Sequence, residues 1–204
     1  VSSGFAEEGA ERSALQARIS AIARAGGMRV VGPNSEGFLN AVGRVSASFS
    51  PTVEYAWKSV DGRAGRKRIA VLAQMGVGIM HRGLAAGPAF STVISPGNEA
   101  DVSLADCLDY MVADPHTGAI VLFLESVRDS STFTTACAHA LAADKPIVAI
   151  KVGRSAAGQR AAERLTARAI EAGIAVRVLE PQLGDFNDDL RAHGAKALRQ
   201  HLAQ

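Results

Sequence analysis

Cysteine, aromatic side chains and long apolar runs are all scarce in this sequence. The only cysteines are Cys107 and Cys137, and neither has a second cysteine nearby. That excludes a disulfide framework and a paired-cysteine zinc site, and it fits a reducing compartment. Aromatic residues make up 5% of the chain, and none interleaves with the basic run Arg63, Arg66, Lys67 and Arg68. The run reads as a solvated approach to a strand rather than a nucleic-acid surface. Neither sign of charge dominates, with 22 basic against 20 acidic residues, so no polyanionic partner is implied. The apolar stretches are too short to span a bilayer. Val1-Ser2-Ser3-Gly4-Phe5 has no basic region followed by an apolar one, so it is not a signal peptide. A cytoplasmic protein with no membrane or nucleic-acid partner is expected. The N-terminus reads as the end of a strand entering a loop, as if the chain began within a domain.

What is present is a large apolar fraction, 48% of 204 residues. That is enough for one large α/β unit, or one domain with part of a second. Helical spacing of Leu15, Ile19, Ile22 and Ala23 predicts a helix over 7–27, stopped by Gly26-Gly27. A short strand is predicted at 28–31, followed by the turn Gly32-Pro33-Asn34-Ser35-Glu36-Gly37, and one more strand within 38–49. Residues 50–67, mixing Pro, Gly and charge around Tyr55 and Trp57, read as a connection with room for an edge strand. From Arg68 onward, apolar strands alternate with helices. Strands are expected at 69–72, 90–95, 119–124, 146–151 and 175–179. Helices are expected from the Gly76 turn to 86, and at 104–112, 131–143 and 156–172. This alternation argues a mostly parallel, doubly wound sheet with right-handed crossovers. A terminal helix is expected over 188–202.

In such sheets ligands bind beyond the C-terminal ends of the strands. Polar groups fall at four of those ends. Gln74-Met75-Gly76 is either an ordinary strand-to-helix turn or an anion site at a helix N-terminus, where glycine lets backbone N–H groups approach. No lysine completes a nucleotide P-loop there. Asn98, Glu99 and Asp101 either fix a turn and cap the next helix or place carboxylates at a site, and their spacing matches no firm metal pattern. Glu125 follows a wholly apolar strand, where a carboxylate needs an exit to water or a partner. A glutamate there suits orienting a histidine; a plain exposed strand end is the alternative. Lys151 and Arg154 could pair with Glu125 or hold a phosphate. The histidines His81, His116, His139, His193 and His201 lie away from these strand ends, and no Ser/His/Asp spacing appears.

Read in order, several runs resemble nucleoside-diphosphate-forming acyl-CoA synthetases, relatives of the succinyl-CoA ligase alpha subunit. They are Ser3-Gly4-Phe5-Ala6-Glu7, Gly32 through Asn40, Gly97-Asn98-Glu99-Ala100-Asp101, and Asp106 through Tyr110. Asp114-Pro115-His116-Thr117, Leu122-Phe123-Leu124-Glu125, Lys145 through Val148 and Lys151 through Ser155 complete the set. The resemblance covers residues 1–166. It implies a flavodoxin-like, succinyl-CoA-synthetase-like domain at 68–180. That domain would be preceded by the C-terminal half of a Rossmann-like CoA-binding domain at 1–50 and a connection at 51–67, with a helical tail at 181–204.

The family joins a carboxylic acid to CoA through acyl phosphate and phosphohistidine, using ATP or GTP with Mg2+. For this chain the resemblance implies that Gly32, Pro33, Asn34, Ser35 and Gly37 lie near CoA. It also implies that Gln74, Met75 and Gly76 hold phosphate and that Glu125 is the orienting carboxylate. Asn98, Glu99, Asp101, Lys151 and Arg154 would play supporting parts, with no metal held by the chain. Two departures stand out. The glycine-rich strand-turn-helix that opens the family's CoA-binding domain is missing. Where the family has a phosphorylated histidine in a Ser-His-Thr-Gly run, this chain reads Arg164-Leu165-Thr166-Ala167. Leucine cannot carry a phosphoryl group, and of the remaining histidines His81 is the nearest in sequence to the Gly76 turn. The expectation is a piece of an acyl-CoA synthetase that works with an ATP-grasp domain or subunit, or else a silent binding or scaffold relative. A flavin-carrying electron protein is a weaker third reading, since the resembled domain has no flavin. An incomplete first unit should leave apolar surface for the rest of a longer chain or an oligomer to cover.

Overall fold

The computed structural model describes residues 4–50, 53, 67–74, 89–151, 156–171, 173, 191–194, 196–197 and 200. The chain divides into two compact units, residues 1–165 and 166–204. In the second unit the described residues 191–194 and 196–197 are helical, within the expected terminal helix. The helix after Gly76, the strand at 175–179 and any edge strand within 54–66 lie outside the described residues.

Six strands form one sheet: β1 (Gly37–Asn40), β2 (Val45–Ser48), β3 (Arg68–Ala73), β4 (Phe90–Ser95), β5 (Thr117–Leu124) and β6 (Ile147–Lys151). Their order is β2-β1-β4-β3-β5-β6. The pairs β4–β3, β3–β5 and β5–β6 are parallel, whereas β1 pairs antiparallel with both β2 and β4. The parallel part therefore has the flavodoxin-like order, with its topological switch between β3 and β5. The mostly parallel α/β sheet expected from the alternation is formed.

Three helices of the first unit flank this sheet and its loops. They are α1 (Ala10–Ala25), α2 (Leu104–Ala113) and α3 (Ser130–Ala142). A fourth, α4 (Ala156–Glu171), carries Leu165. Ser103 and Asp106 form a reciprocal capping box at the start of α2, which satisfies two backbone donors that would otherwise be orphaned. Leu104, Cys107, Leu108 and Met111 then recur at helical spacing and bury one face of α2. Asp114 ends the helix ahead of Pro115, as the pre-proline restriction requires. Asp129 caps α3 by accepting from the N–H groups of Ser131 and Thr132 at 2.9 and 3.1 Å. Both helices pack on one sheet face, where Leu72, Ile94, Ile120, Leu122, Phe133 and Ala136 form the main core. Leu39, Val71, Phe90 and Val93 form a smaller cluster on the other face.

The N-terminal region departs from the pattern read in the sequence. No strand forms at 28–31. Instead, the Val30 carbonyl accepts from Val102 N–H at 3.0 Å, and its N–H donates to Asp101. The segment is held by a loop rather than by a sheet ladder. Within 38–49 there are two strands, not one, and they extend the sheet of the second half of the chain. The helix 7–27 is shorter, with a 3-10 turn at Ala6–Glu8 ahead of α1. Its buried residues are Gln16, Ser20 and Ala23, while Leu15 and Ile22 are exposed. The polar face is inward because Gln16 and Ser20 hydrogen-bond to the loop after β4.

Candidate functional site

The switch point places Gln74, directly after β3, beside Glu125, directly after β5. Gln74 Oε1 accepts from the backbone N–H groups of Glu125 and Ser126 at 2.7 and 3.0 Å. Its Nε2 donates to Glu99 Oε1 at 2.6 Å. The other oxygen of Glu99 accepts from Leu104 N–H at 2.8 Å, at the first turn of α2. One amide thus ties together the loops after β3, β4 and β5. Glu99 sits at φ +50, a conformation rare for residues other than Gly, Asn and Asp.

Glu125 itself is exposed, and its carboxylate has no partner among the described residues. Among the described residues Gln74 keeps one amide hydrogen, the other being given to Glu99. Met75, Gly76, Arg154 and His81 lie outside the described residues, and Lys151 ends β6.

The loop after β4 is packed against the turn 32–37. The N–H groups of Asn98 and Ala100 donate to the carbonyls of Pro33 and Gly32 at 2.8 and 3.0 Å. A side chain at Gly97, where φ is +60, would put its Cβ 2.1 Å from the Pro33 carbonyl oxygen. Only glycine permits that approach. At Gly37, with φ +88, an added Cβ would likewise collide with the Ala47 carbonyl. The Ser35 hydroxyl donates to the carbonyl of Ser95 and accepts from Gly37 N–H. Asn34, at φ +55, is exposed and donates through Nδ2 to Asn98 Oδ1 at 3.3 Å. Residues that looked like two separate sites in the sequence, 32–37 and 97–101, form one surface.

Asp101 is the anchor of that surface. Its carboxylate, 3% exposed, accepts from Arg24 Nε, Arg29 Nε and Val30 N–H at 2.8, 2.8 and 2.9 Å. The hydrogen bond from Val30 and those from the two arginines hold its pKa well below the usual carboxylate range. Arg24, Arg29, Gln16 and Ser20 are contributors that the motif reading missed. The available signal was polar residues four apart, Gln16 and Ser20, inside a helix otherwise read by its apolar ones. His139 is placed elsewhere, on the surface, with Nδ1 2.9 Å from Asp109. Among the described residues no group of three or more His, Cys, Asp or Glu could hold a metal ion. Among them, too, no helix is long and apolar enough to cross a membrane.

This is the geometry of a flavodoxin-like sheet with a built switch point, and comparison with known proteins gives the family. Residues 66–184, more than half of the chain, match the succinyl-CoA ligase-like flavodoxin domain. The chain belongs to that family. It is 34% identical over 165 residues to the alpha subunit of an ADP-forming acetate–CoA ligase I of Pyrococcus furiosus, covering 79% of this chain and 33% of the relative. It is 30% identical over 166 residues to an ADP-forming 4-hydroxybutyrate–CoA ligase of Nitrosopumilus maritimus, covering 79% and 23%. The apo structure of a dinucleotide-forming acetyl-coenzyme A synthetase 1 from Ca. Korarchaeum cryptofilum superposes with a TM-score of 0.69 at 30% identity, covering 87% of this chain and 39% of that one. The chain thus spans about a third or less of the length of these curated relatives.

Proposed function

We propose that this chain is the part of a nucleoside-diphosphate-forming acyl-CoA synthetase that carries the switch-point sheet. The assembled enzyme ligates a carboxylic acid to CoA, driven by ATP or GTP with Mg2+, through acyl phosphate and phosphohistidine. The observation that supports this reading best is the convergence of Gln74, Glu99 and Glu125 at the strand ends of this family's fold. In this reading Glu125 orients a phosphoryl-carrying imidazole, a role its exposed carboxylate, without a partner among the described residues, suits. Gln74 fixes the backbone on which Glu125 sits, and the turn formed with Met75 and Gly76 faces the phosphoryl oxygens. Lys151 and Arg154 add positive charge there.

Exposed Asn34, with Gly32, Pro33, Ser35 and Gly37, faces CoA, which supplies the thiol that becomes acylated. Asn98 holds that turn in place, and Asp101 holds Val30 just ahead of it. Nucleotide and Mg2+ belong to an ATP-grasp domain or subunit. Residues 1–50 are the end of a CoA-binding unit, 51–67 a connection, 68–180 the flavodoxin-like domain and 181–204 a tail. The protein acts in the cytoplasm.

A second reading, a CoA-ligase-like binding or scaffold protein without catalysis, is favoured by Leu165. That residue stands in α4 where the resemblance puts the histidine. One experiment addresses both readings. The chain and its Leu165→His variant are incubated with radiolabelled ATP or GTP, Mg2+ and an ATP-grasp domain that labels a relative's alpha subunit. The unaltered chain should take no acid-labile, base-stable label, whereas Leu165→His should take it. Adding Glu125→Gln should cut that label about tenfold, since an imidazole without its orienting carboxylate loses an effect of at least that order. An unlabelled Leu165→His chain would refute the enzyme reading and leave the scaffold.

A further inference from the structure

A pocket of about 450 Å³, lined by none of Gln74, Glu99 and Glu125, lies on the sheet face over which α2 passes. The strand register builds its floor. Asn40 is paired with Thr92 and Val45, and Phe38 with Ile94, so these side chains share one face. Cys107 and Tyr110 of α2 form one wall, with Val31 and Val102 at the end. The volume is that of a small-molecule site, and the lining is mostly apolar.

Two hydroxyls break the apolar lining. Thr92 is 2% exposed, and its Oγ1 has no hydrogen-bond partner among the described residues. An orphaned buried hydroxyl is costly unless something completes it. The Tyr110 hydroxyl accepts from Asn40 Nδ2 at 3.1 Å, which leaves its own hydrogen to donate. Asp106 stands at the rim and disfavours an anion. Burial, with help from Asp106 and Glu99, pushes the Cys107 thiol up to about 12, so it lines the pocket as an apolar group and not as a nucleophile.

The geometry points to a binding site for neutral compounds that combine a compact apolar body with one carbonyl oxygen, the oxygen accepting from Thr92. The pocket adjoins the strand-end surface but shares none of its polar contact residues, and the proposal does not rest on the acyl-CoA reading. Acetophenone is the probe, and ethylbenzene is its counterpart without the oxygen. In a methyl-detected NMR titration of the full chain, acetophenone should shift Val31, Val45, Ile94 and Val102 saturably.

Thr92→Val keeps the side-chain shape and removes the donor. It should weaken acetophenone about three- to ten-fold, the worth of one neutral hydrogen bond, and leave ethylbenzene unchanged. Val45→Trp, at an exposed lining position, should abolish binding of both while the methyls of Leu72, Ile120 and Leu122 in the main core keep their shifts. Absence of saturable shifts overturns the proposal. So does a Thr92→Val chain that binds acetophenone as tightly as before, or one that loses both probes equally.

Discussion

Polar side chains gather at both ends of the parallel strands, and the two ends use them differently. At the N-terminal ends Ser91 and Thr117 are wholly buried and share a hydrogen bond of 2.6 Å. Thr117 Oγ1 donates onward to Asp114 Oδ2 at 2.7 Å. Lys145, ahead of β6, puts Nζ 2.6 Å from the carbonyls of Val112 and Asp114 and so closes the C-terminal end of α2. Burial lowers the pKa of that lysine, yet its charge meets the carbonyl end of a helix, where a cation belongs. Every one of these groups is consumed by the fold. At the C-terminal ends Gln74, Glu99 and Asp101 are similarly engaged, but they leave Glu125 and Asn34 facing outward. A polar residue at a strand end becomes informative about function only when its neighbours have been spent on positioning it.

Breaking the N-terminal end should have the largest effect. Thr117→Val strands the buried hydroxyl of Ser91 and takes a partner from the half-buried Asp114 carboxylate, at a cost of about 2 kcal/mol. For a chain of this size that corresponds to a fall of about 4–8 °C in thermal midpoint. Calorimetry decides it: a midpoint within a degree of the unaltered chain would show that the buried relay contributes nothing. No change in the strand-end surface is expected, because none of its contacts runs through Thr117.

The anchor at Asp101 gives a smaller effect that depends on pH. Its carboxyl is depressed in the folded chain relative to an ordinary value of 3.8. A depressed folded pKa means that the stabilisation is fully present above the unfolded value and is lost progressively as pH falls from there through the folded one. The unaltered chain should therefore lose stability steadily from about pH 4 downward. Asp101→Asn should be less stable at neutral pH, with a flatter acid limb, because its two arginines then face an amide. Parallel acid limbs for the two chains, measured by urea unfolding across pH, would assign the linkage to other carboxylates.

The same contrast explains what could be read from the residues alone. The alternation after Arg68 was legible because buried parallel strands are continuous apolar runs and helices such as α2 carry both caps and stripe in their local sequence. Gln74, Glu99 and Glu125 were legible as strand-end residues by topology. Their mutual contacts were not, since Gln74 and Glu125 are brought together only by β3–β5 pairing. The N-terminal region was misread for a related reason. Periodicity marks the apolar face of α1, but Gln16, Ser20, Arg24 and Arg29 find partners 72 to 82 residues away in the loop after β4. The strand expected at 28–31 is a lash to that loop, and the true strands follow it as a hairpin on β4.

The smallest effect on global stability, and the sharpest separation of positioning from function, is expected at the switch point. Glu125→Gln should leave the unfolding free energy unchanged within about 0.5 kcal/mol, as surface substitutions without special contacts do. Gln74 is the opposite case. Gln74→Glu keeps an oxygen to accept from Glu125 and Ser126 N–H, but it places a carboxylate where an amide now meets Glu99 at 2.6 Å. Two carboxylates at that distance repel unless one takes up a proton. The variant should loosen the two loops at neutral pH and tighten them again on mild acidification. Hydrogen exchange reads this directly: the amides of Glu125, Ser126 and Leu104 should exchange about tenfold or more faster in Gln74→Glu at neutral pH, while those of β3 and β5 keep their protection. Recovery of that protection below about pH 5 would mark repulsion by Glu99 as the cause. Uniformly faster exchange across β3 and β5 would instead make Gln74 a general stabiliser of the sheet, and the difference between the two strand ends would disappear.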